Sequence, residues 1–284
     1  MRISVINTGN FKLDGGAMFG VVPKSLWSRT NPPDSNNLCT WAMRSMLIEQ
    51  GNQLILIDTG IGNKQTEKFF SHYHLHGDDS LKKSLNSAGY GLDDITDVFL
   101  THLHFDHCGG AVRRSNNNTH LEPVFKNAKY WSNQNHWKWA TKPNPREKAS
   151  FLEENISPIE ESGQLNFISK TDQLTKNVFE NIDVFFADGH TESQMIPIIN
   201  NNGHKIAFMA DLLPSTGHIP LPYVMGYDTR PLLTLKEKNT FLNFAEKNDF
   251  SLFLEHDSEN ECCKLKSTDK GIRLASTHQL SEII

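Results

Sequence analysis

Cysteine is scarce in this chain, with four among 284 residues: Cys39, Cys108, Cys262 and Cys263. They make neither a C-x-x-C pair nor a secreted disulfide framework, so reduced thiols in a cytoplasm are expected. Basic residues are outnumbered 28 to 33, for a net charge of −5. Nucleic-acid and anionic-membrane binders normally show the opposite excess, and neither partner is expected here. No window reaches the roughly 18 consecutive apolar residues that mark a transmembrane helix. The start, "MRISVINTGNFKLDGG", lacks the apolar core of a secretory signal and reads as a strand and a turn. A G-x-S-x-G elbow is also missing, so no serine nucleophile of that kind competes for the chemistry.

Short apolar runs rich in β-branched residues are present throughout. They fall at 2–7, 41–49, 53–60 and 97–104, then at 182–190, 195–200, 204–213 and 250–257. Most end in a polar residue or glycine, as buried strands do where they enter surface loops. "NNNG" at 200–203 signals a hairpin turn. Helical patterns interleave near 65–75, 80–90, 133–140, 145–155 and 234–248. Strands in two clusters, each followed by helices, suggest two sheet halves packed together with helices outside. A single domain over 1–284 is the simplest reading. Two irregular stretches stand out, an N-terminal loop at 8–37 and an insertion at 113–168. Long loops in compact domains usually form lids or binding walls, so both are expected to shape a substrate pocket.

The decapeptide "THLHFDHCGG" places His102, His104, Asp106 and His107 within six positions. In an extended segment His102 and His104 point the same way, and Gly109-Gly110 permits a tight path after them. Imidazole and carboxylate suit zinc and its neighbours. A His-rich surface loop is the plain alternative, but burying four such groups without partners is costly. Three later strand ends carry the same residue types: His190, Asp211 and His256. Each alone could cap a strand; together they look like one convergent site. Asp58, in "LILIDTGIG", is either a turn residue or a support for that site. His72, His74 and His76 in "SHYHLH" mimic a metal site but read as an exposed helix end. Cys108 reads as a small buried residue.

H-x-H-x-D-H with an earlier Asp-Thr-Gly and the later His, Asp and His resembles the metallo-β-lactamase superfamily, over residues 58 to 256. The strings "DGGAMFGVVPKSLWSR", "MRSMLIE", "THLHFDH" and "MADLLPS" resemble its bacterial quorum-quenching lactonases, with methyl-parathion-hydrolase-like members as close relatives. The resemblance implies an α/β fold, the four-layer αβ/βα sandwich. It implies two divalent metal ions per chain, zinc first, with manganese, iron or cobalt as alternatives set by supply. His102, His104 and His190 would hold one ion. Asp106, His107 and His256 would hold the other, Asp211 would bridge them, and Asp58 would orient the His-rich loop from behind.

Such a site would open a lactone ring, N-acyl homoserine lactones first, with a hydroxide shared by the two ions as nucleophile. Asp106 would pass a proton to the leaving alkoxide, and Asp106 and Asp211 are the expected catalytic carboxylates. Phosphotriesters or aryl esters are the alternative substrates. Persulfide oxidation by a single iron is an alternative of another class. Several lactonases carry a tyrosine three residues after the bridging aspartate, whereas Pro214 stands there in this chain. Tyr223, Tyr227 or His218 could replace that donor. Met18, Phe19, Trp27, His218 and Tyr223 are the expected pocket residues for a small lactone or ester. A homodimer built through the apolar N-terminal loop is also expected.

Overall fold

The computed structural model describes residues 1–284. Two long strands, β1 (Arg2–Asp14) and β2 (Leu38–Gln50), flank two short helices, α1 (Gly15–Phe19) and α2 (Lys24–Trp27). β3 (Gln53–Ile57), α3 (Glu67–Ser71), α4 (Leu81–Ser87), β4 (Asp97–Phe99) and α5 (Phe105–Cys108) follow. Next come β5 (Val112–Arg114), β6 (Leu121–Pro123), β7 (Lys129–Ser132), α6 (Gln134–Thr141), α7 (Glu153–Glu161) and β8 (Leu165–Phe167). The remainder runs β9 (Leu174–Phe179), β10 (Ile182–Ala187), β11 (Gln194–Asn201), β12 (His204–Phe208), α8 (Pro231–Lys247), β13 (Ser251–Phe253), β14 (Cys262–Thr268) and β15 (Gly271–His278).

The residues group into two compact units, each drawn from two stretches of chain. The first unit comprises Met1–Gly9 and Met43–Thr171. Its strands follow the sheet order β1-β2-β3-β4-β7-β8, and the pairs β3–β4, β4–β7 and β7–β8 are parallel. Parallel strands are buried on both faces, which is why "QLILI" and "DVF" read as continuous apolar runs. Leu54, Leu56, Val98, Leu100, Leu103 and Tyr130 form the core of this unit with Ile156 and Ile159 from α7.

The second unit comprises Asn10–Ala42 and Asp172–Ile284. It holds a seven-stranded sheet in the order β15-β14-β13-β12-β11-β10-β9, mostly antiparallel with one parallel pair, β12–β13. The "NNNG" signal closes the β11–β12 hairpin: Asn202 and Gly203, both at positive φ, lie between the paired Asn201 and His204. Two consecutive left-handed residues are what a two-residue type I′ turn requires.

The stretch 8–37 is more regular than its composition suggests. β1 continues to Asp14, whose side chain accepts from Ala17 N–H and starts α1. The expected helix at 145–155 begins only at Glu153. Before it, Asn144 and Glu147 form a turn whose side-chain bonds compete with the helix ladder. The β14–β15 hairpin escaped the sequence reading because its exposed residues break the apolar alternation. No helix is long and apolar enough to cross a membrane.

Candidate metal centre

Register places the first cluster of ligand-type residues. β3 and β4 run parallel with Ile57 beside Phe99, so Asp58 and Leu100 leave the sheet together. Asp58 donates its N–H to the Phe99 carbonyl and sits at φ 55°, which turns its carboxylate toward the next loop. There it accepts from Thr101 N–H (2.8 Å), Thr101 Oγ1 (2.6 Å) and His107 Nδ1 (3.1 Å). All three residues are buried. His104 stands at the start of α5, and the single turn of that helix carries Asp106 and His107.

This network sets the tautomers. Thr101 has one hydroxyl proton and gives it to Asp58, so its oxygen accepts from His102 Nδ1 at 3.1 Å. His102 Nε2 therefore presents a lone pair, 3.1 Å from His104 Nδ1. His107 gives its Nδ1 proton to Asp58, leaving its Nε2 lone pair 3.7 Å from Asp106 Oδ2. Glycine is required just after the cluster: a Cβ on Gly109 or Gly110 would overlap the backbone of Ile61 or Thr59.

Three supports come from the insertion 113–168 and were not legible in the sequence. Leu103 N–H donates to His136 Nε2 (2.8 Å), Glu147 Oε1 lies 3.5 Å from His104 Nε2, and Phe105 N–H donates to Ser150 O (3.0 Å). Three consecutive residues of the His-rich loop are thus held from outside it, Leu103 and Phe105 by their backbone and His104 by its ring. His72, His74 and His76 are exposed in the segment after α3 and stand apart from this network.

The second unit carries the other cluster. β12 and β13 are parallel with Phe208 beside Phe253, so Asp211 and His256 occupy equivalent places beyond the two strand ends. His190 follows β10. Asp211 faces both histidines, with Oδ2 3.1 Å from His190 Nε2 and Oδ1 3.1 Å from His256 Nε2. Behind them, His190 Nδ1 meets Asp228 Oδ1 and His256 Nδ1 meets the Ala42 carbonyl, each at 2.8 Å. Neither acceptor can donate, so both Nδ1 atoms carry protons and both Nε2 atoms are turned on one carboxylate, each with a proton or, once that is displaced, a lone pair. Glu237, buried on α8, accepts the backbone N–H groups of Asp188 and Gly189 and holds the His190 turn. Asp228 and Glu237 also went unread in the sequence.

A lone pair facing a carboxylate oxygen at 3.1 Å is repulsive unless a cation or a proton lies between them. Imidazole nitrogens oriented from behind by hydrogen bonds and aimed at a shared carboxylate fit a divalent metal. The donor set passes that test in both clusters.

Residues 44–256 match the sequence model of the metallo-β-lactamase superfamily. The chain belongs to that superfamily. It has the mixed α/β metallo-β-lactamase fold together with the superfamily's His/Asp clusters. A structure described as a probable metal-dependent hydrolase from Staphylococcus aureus superposes with a TM-score of 0.85 at 28% identity, covering 98% of each chain. AidC, a dizinc quorum-quenching lactonase solved with N-hexanoyl homoserine product, gives a TM-score of 0.78 at 20% identity, covering 98% of this chain and 95% of its own. An N-acyl homoserine lactone hydrolase with the same product gives 0.67 at 18% identity, over 90% of this chain and 93% of its own. A search of curated proteins found no match.

The five residues expected to line a pocket all lie in the second unit and pack as one group. Phe19 is stacked between Trp27 (5.3 Å, 3°) and His218 (4.2 Å, 6°), and Tyr223 meets it edge-on (6.3 Å, 90°). Met18, Phe19, Trp27 and His218 are buried, and Tyr223 is half-buried.

Charge gives the second cluster a pH dependence. Burial pulls His190 down, but the Asp211 and Asp228 carboxylates outweigh it and hold the ring raised, to about 10. Below that pH the metal-free ring keeps a proton on Nε2, and an arriving cation must displace it. Metal affinity should therefore rise with pH between about 6 and about 8, by up to about tenfold per unit for one displaced proton. Zinc titrations in two buffers of different ionisation enthalpy would detect the released proton. An affinity flat across that range would remove the proton from the account.

Proposed function

We propose that this chain is a binuclear metal-dependent hydrolase that opens lactone rings, N-acyl homoserine lactones first. The observation that supports it best is the set of oriented Nε2 atoms turned on Asp211 and beside Asp106. His102, His104 and His190 would hold one divalent ion, and Asp106, His107 and His256 the other, with Asp211 shared. Bound there, two such ions would supply Lewis-acid polarisation and a water acidified toward neutral pH.

The chain's own groups do the rest. Asp58, Asp228 and the Ala42 carbonyl fix the ring orientation, so that each Nε2 turns toward a carboxylate. Asp106, buried like its neighbour His107, would carry a proton to the leaving alkoxide. The similarity to lactonase structures favours a cyclic ester over a phosphotriester. All four cysteines are free and buried, which supports a cytoplasmic setting.

Purified protein should contain two metal ions per chain by elemental analysis and hydrolyse acyl homoserine lactones faster than paraoxon-type triesters or aryl esters. One iron per chain with persulfide consumption, or metal-loaded protein inert toward lactones, would overturn the reading.

A further inference from the structure

Tyr73 follows α3, and its side chain is half-buried although Ser71, His72, His74 and Leu75 around it are exposed. Its ring is pinned by two others. Phe69 lies 4.9 Å away and Phe105 4.7 Å away, both at 48°, and Phe69 meets Phe105 edge-on at 5.5 Å. Phe105 immediately precedes Asp106, so this triangle packs Tyr73 against the residue next to that carboxylate, whose charge reaches the phenol. The hydroxyl makes no hydrogen bond within the protein, although the ring that carries it is fixed on two sides. Burial first, then the Asp106 charge, push the phenol up to about 12. A phenol is protonated at neutral pH and can offer that proton in a hydrogen bond without losing it.

The alternatives read from the sequence fare worse. His218 donates Nε2–H to the Met18 carbonyl (2.9 Å) and receives the Ser215 hydroxyl on Nδ1 (2.8 Å). Both ring nitrogens are used, and burial pulls the ring down to about 3, so it is neutral. Tyr227 is exposed. Tyr223 packs edge-on against Phe19, within the His218 stack.

We propose that Tyr73 contacts the substrate, its Oη donating a hydrogen bond to the carbonyl oxygen of a lactone or ester as negative charge develops there. The proposal rests on the hydrolase reading above. A phenol anchored by aromatic neighbours, free of internal acceptors and set beside a candidate metal ligand is preorganised for that task.

The test compares zinc-loaded wild type, Tyr73→Phe and Tyr223→Phe on an acyl homoserine lactone and an aryl ester. It also measures the calorimetric affinity of each protein for the ring-opened hydroxy acid. Tyr73→Phe keeps the ring and its packing, so metal content and melting temperature should match wild type. Its kcat should fall about 10- to 100-fold on both substrates, toward the range for loss of one oxyanion donor, with KM changed less than about threefold. Affinity for the hydroxy acid should weaken several-fold, and the loss of kcat in Tyr223→Phe should be smaller than in Tyr73→Phe. Unchanged kcat in Tyr73→Phe, loss of its metal, or the drop appearing in Tyr223→Phe instead would overturn the proposal. Wild type inert toward both substrates would instead overturn the hydrolase reading, and the proposal with it.

Discussion

Asp211→Asn should yield a folded protein that no longer retains metal and is inactive for that reason. In the native chain each Asp211 oxygen faces a histidine Nε2 at 3.1 Å. An amide can offer N–H to one ring and turns its oxygen on the other, but it carries no charge to hold a cation between them. Residues that merely support ligands cost about 10- to 100-fold in metal affinity when removed. Loss of a shared ligand should exceed that, so affinity should fall by more than about 100-fold and hydrolysis with it. Elemental analysis after dialysis and a circular dichroism spectrum would separate lost metal from lost fold. Retained metal and activity would sink the shared-ligand assignment.

Asp58→Ala should be the most destabilising single change near the site, although Asp58 is not proposed to touch metal. It would strand three buried donors: Thr101 N–H, the Thr101 hydroxyl and His107 Nδ1–H. Each orphaned buried donor costs about 1–3 kcal/mol before relaxation. Placing alanine at φ 55° adds about 1 kcal/mol. A loss of about 3–5 kcal/mol is expected, read by urea unfolding of metal-free protein so that metal linkage does not enter. Asp58→Asn tolerates the same backbone and keeps one acceptor, so it should lose about half as much. An Asp58→Asn variant as stable as wild type would assign the effect to backbone conformation and not to the carboxylate. Because His107 would also lose the partner that fixes its tautomer, both variants should bind metal more weakly by about 10- to 100-fold.

These two aspartates show what the sequence made legible. H-x-H-x-D-H is dense enough to stand out without a structure. His190, Asp211 and His256 were visible because each ends an apolar run, and apolar runs are what a buried strand requires. Asp58 carried the same signal. Their partners were not legible. Asp228, His136, Glu147 and Glu237 lie in no motif, and each reaches its target across 33 or more positions of chain, the shortest being Leu103 to His136. Hydrogen bonds between distant positions leave no periodicity to read. Composition misled at 8–37, where Gly, Pro and Asn suggested an irregular loop. A strand extension and two short helices bury Met18, Phe19 and Trp27 there instead. Aromatic side chains outweighed the turn formers around them because burying each removes a large apolar area from water.

The division of the chain has a consequence for how the protein is made. Residues Asn10–Ala42 belong with Asp172–Ile284, while Met43–Thr171 belong with the first nine residues. On the ribosome, the stretch bearing Phe19 and Trp27 emerges early and waits through about 130 residues of the other unit before its partners are made. The cluster of His102 to His107 can assemble in that interval, and that of His190, Asp211 and His256 only near the end of synthesis. No single cut separates the two units, so a nascent or truncated chain ending near Thr171 would carry an unpartnered apolar arm. Such a chain is a natural client for chaperones.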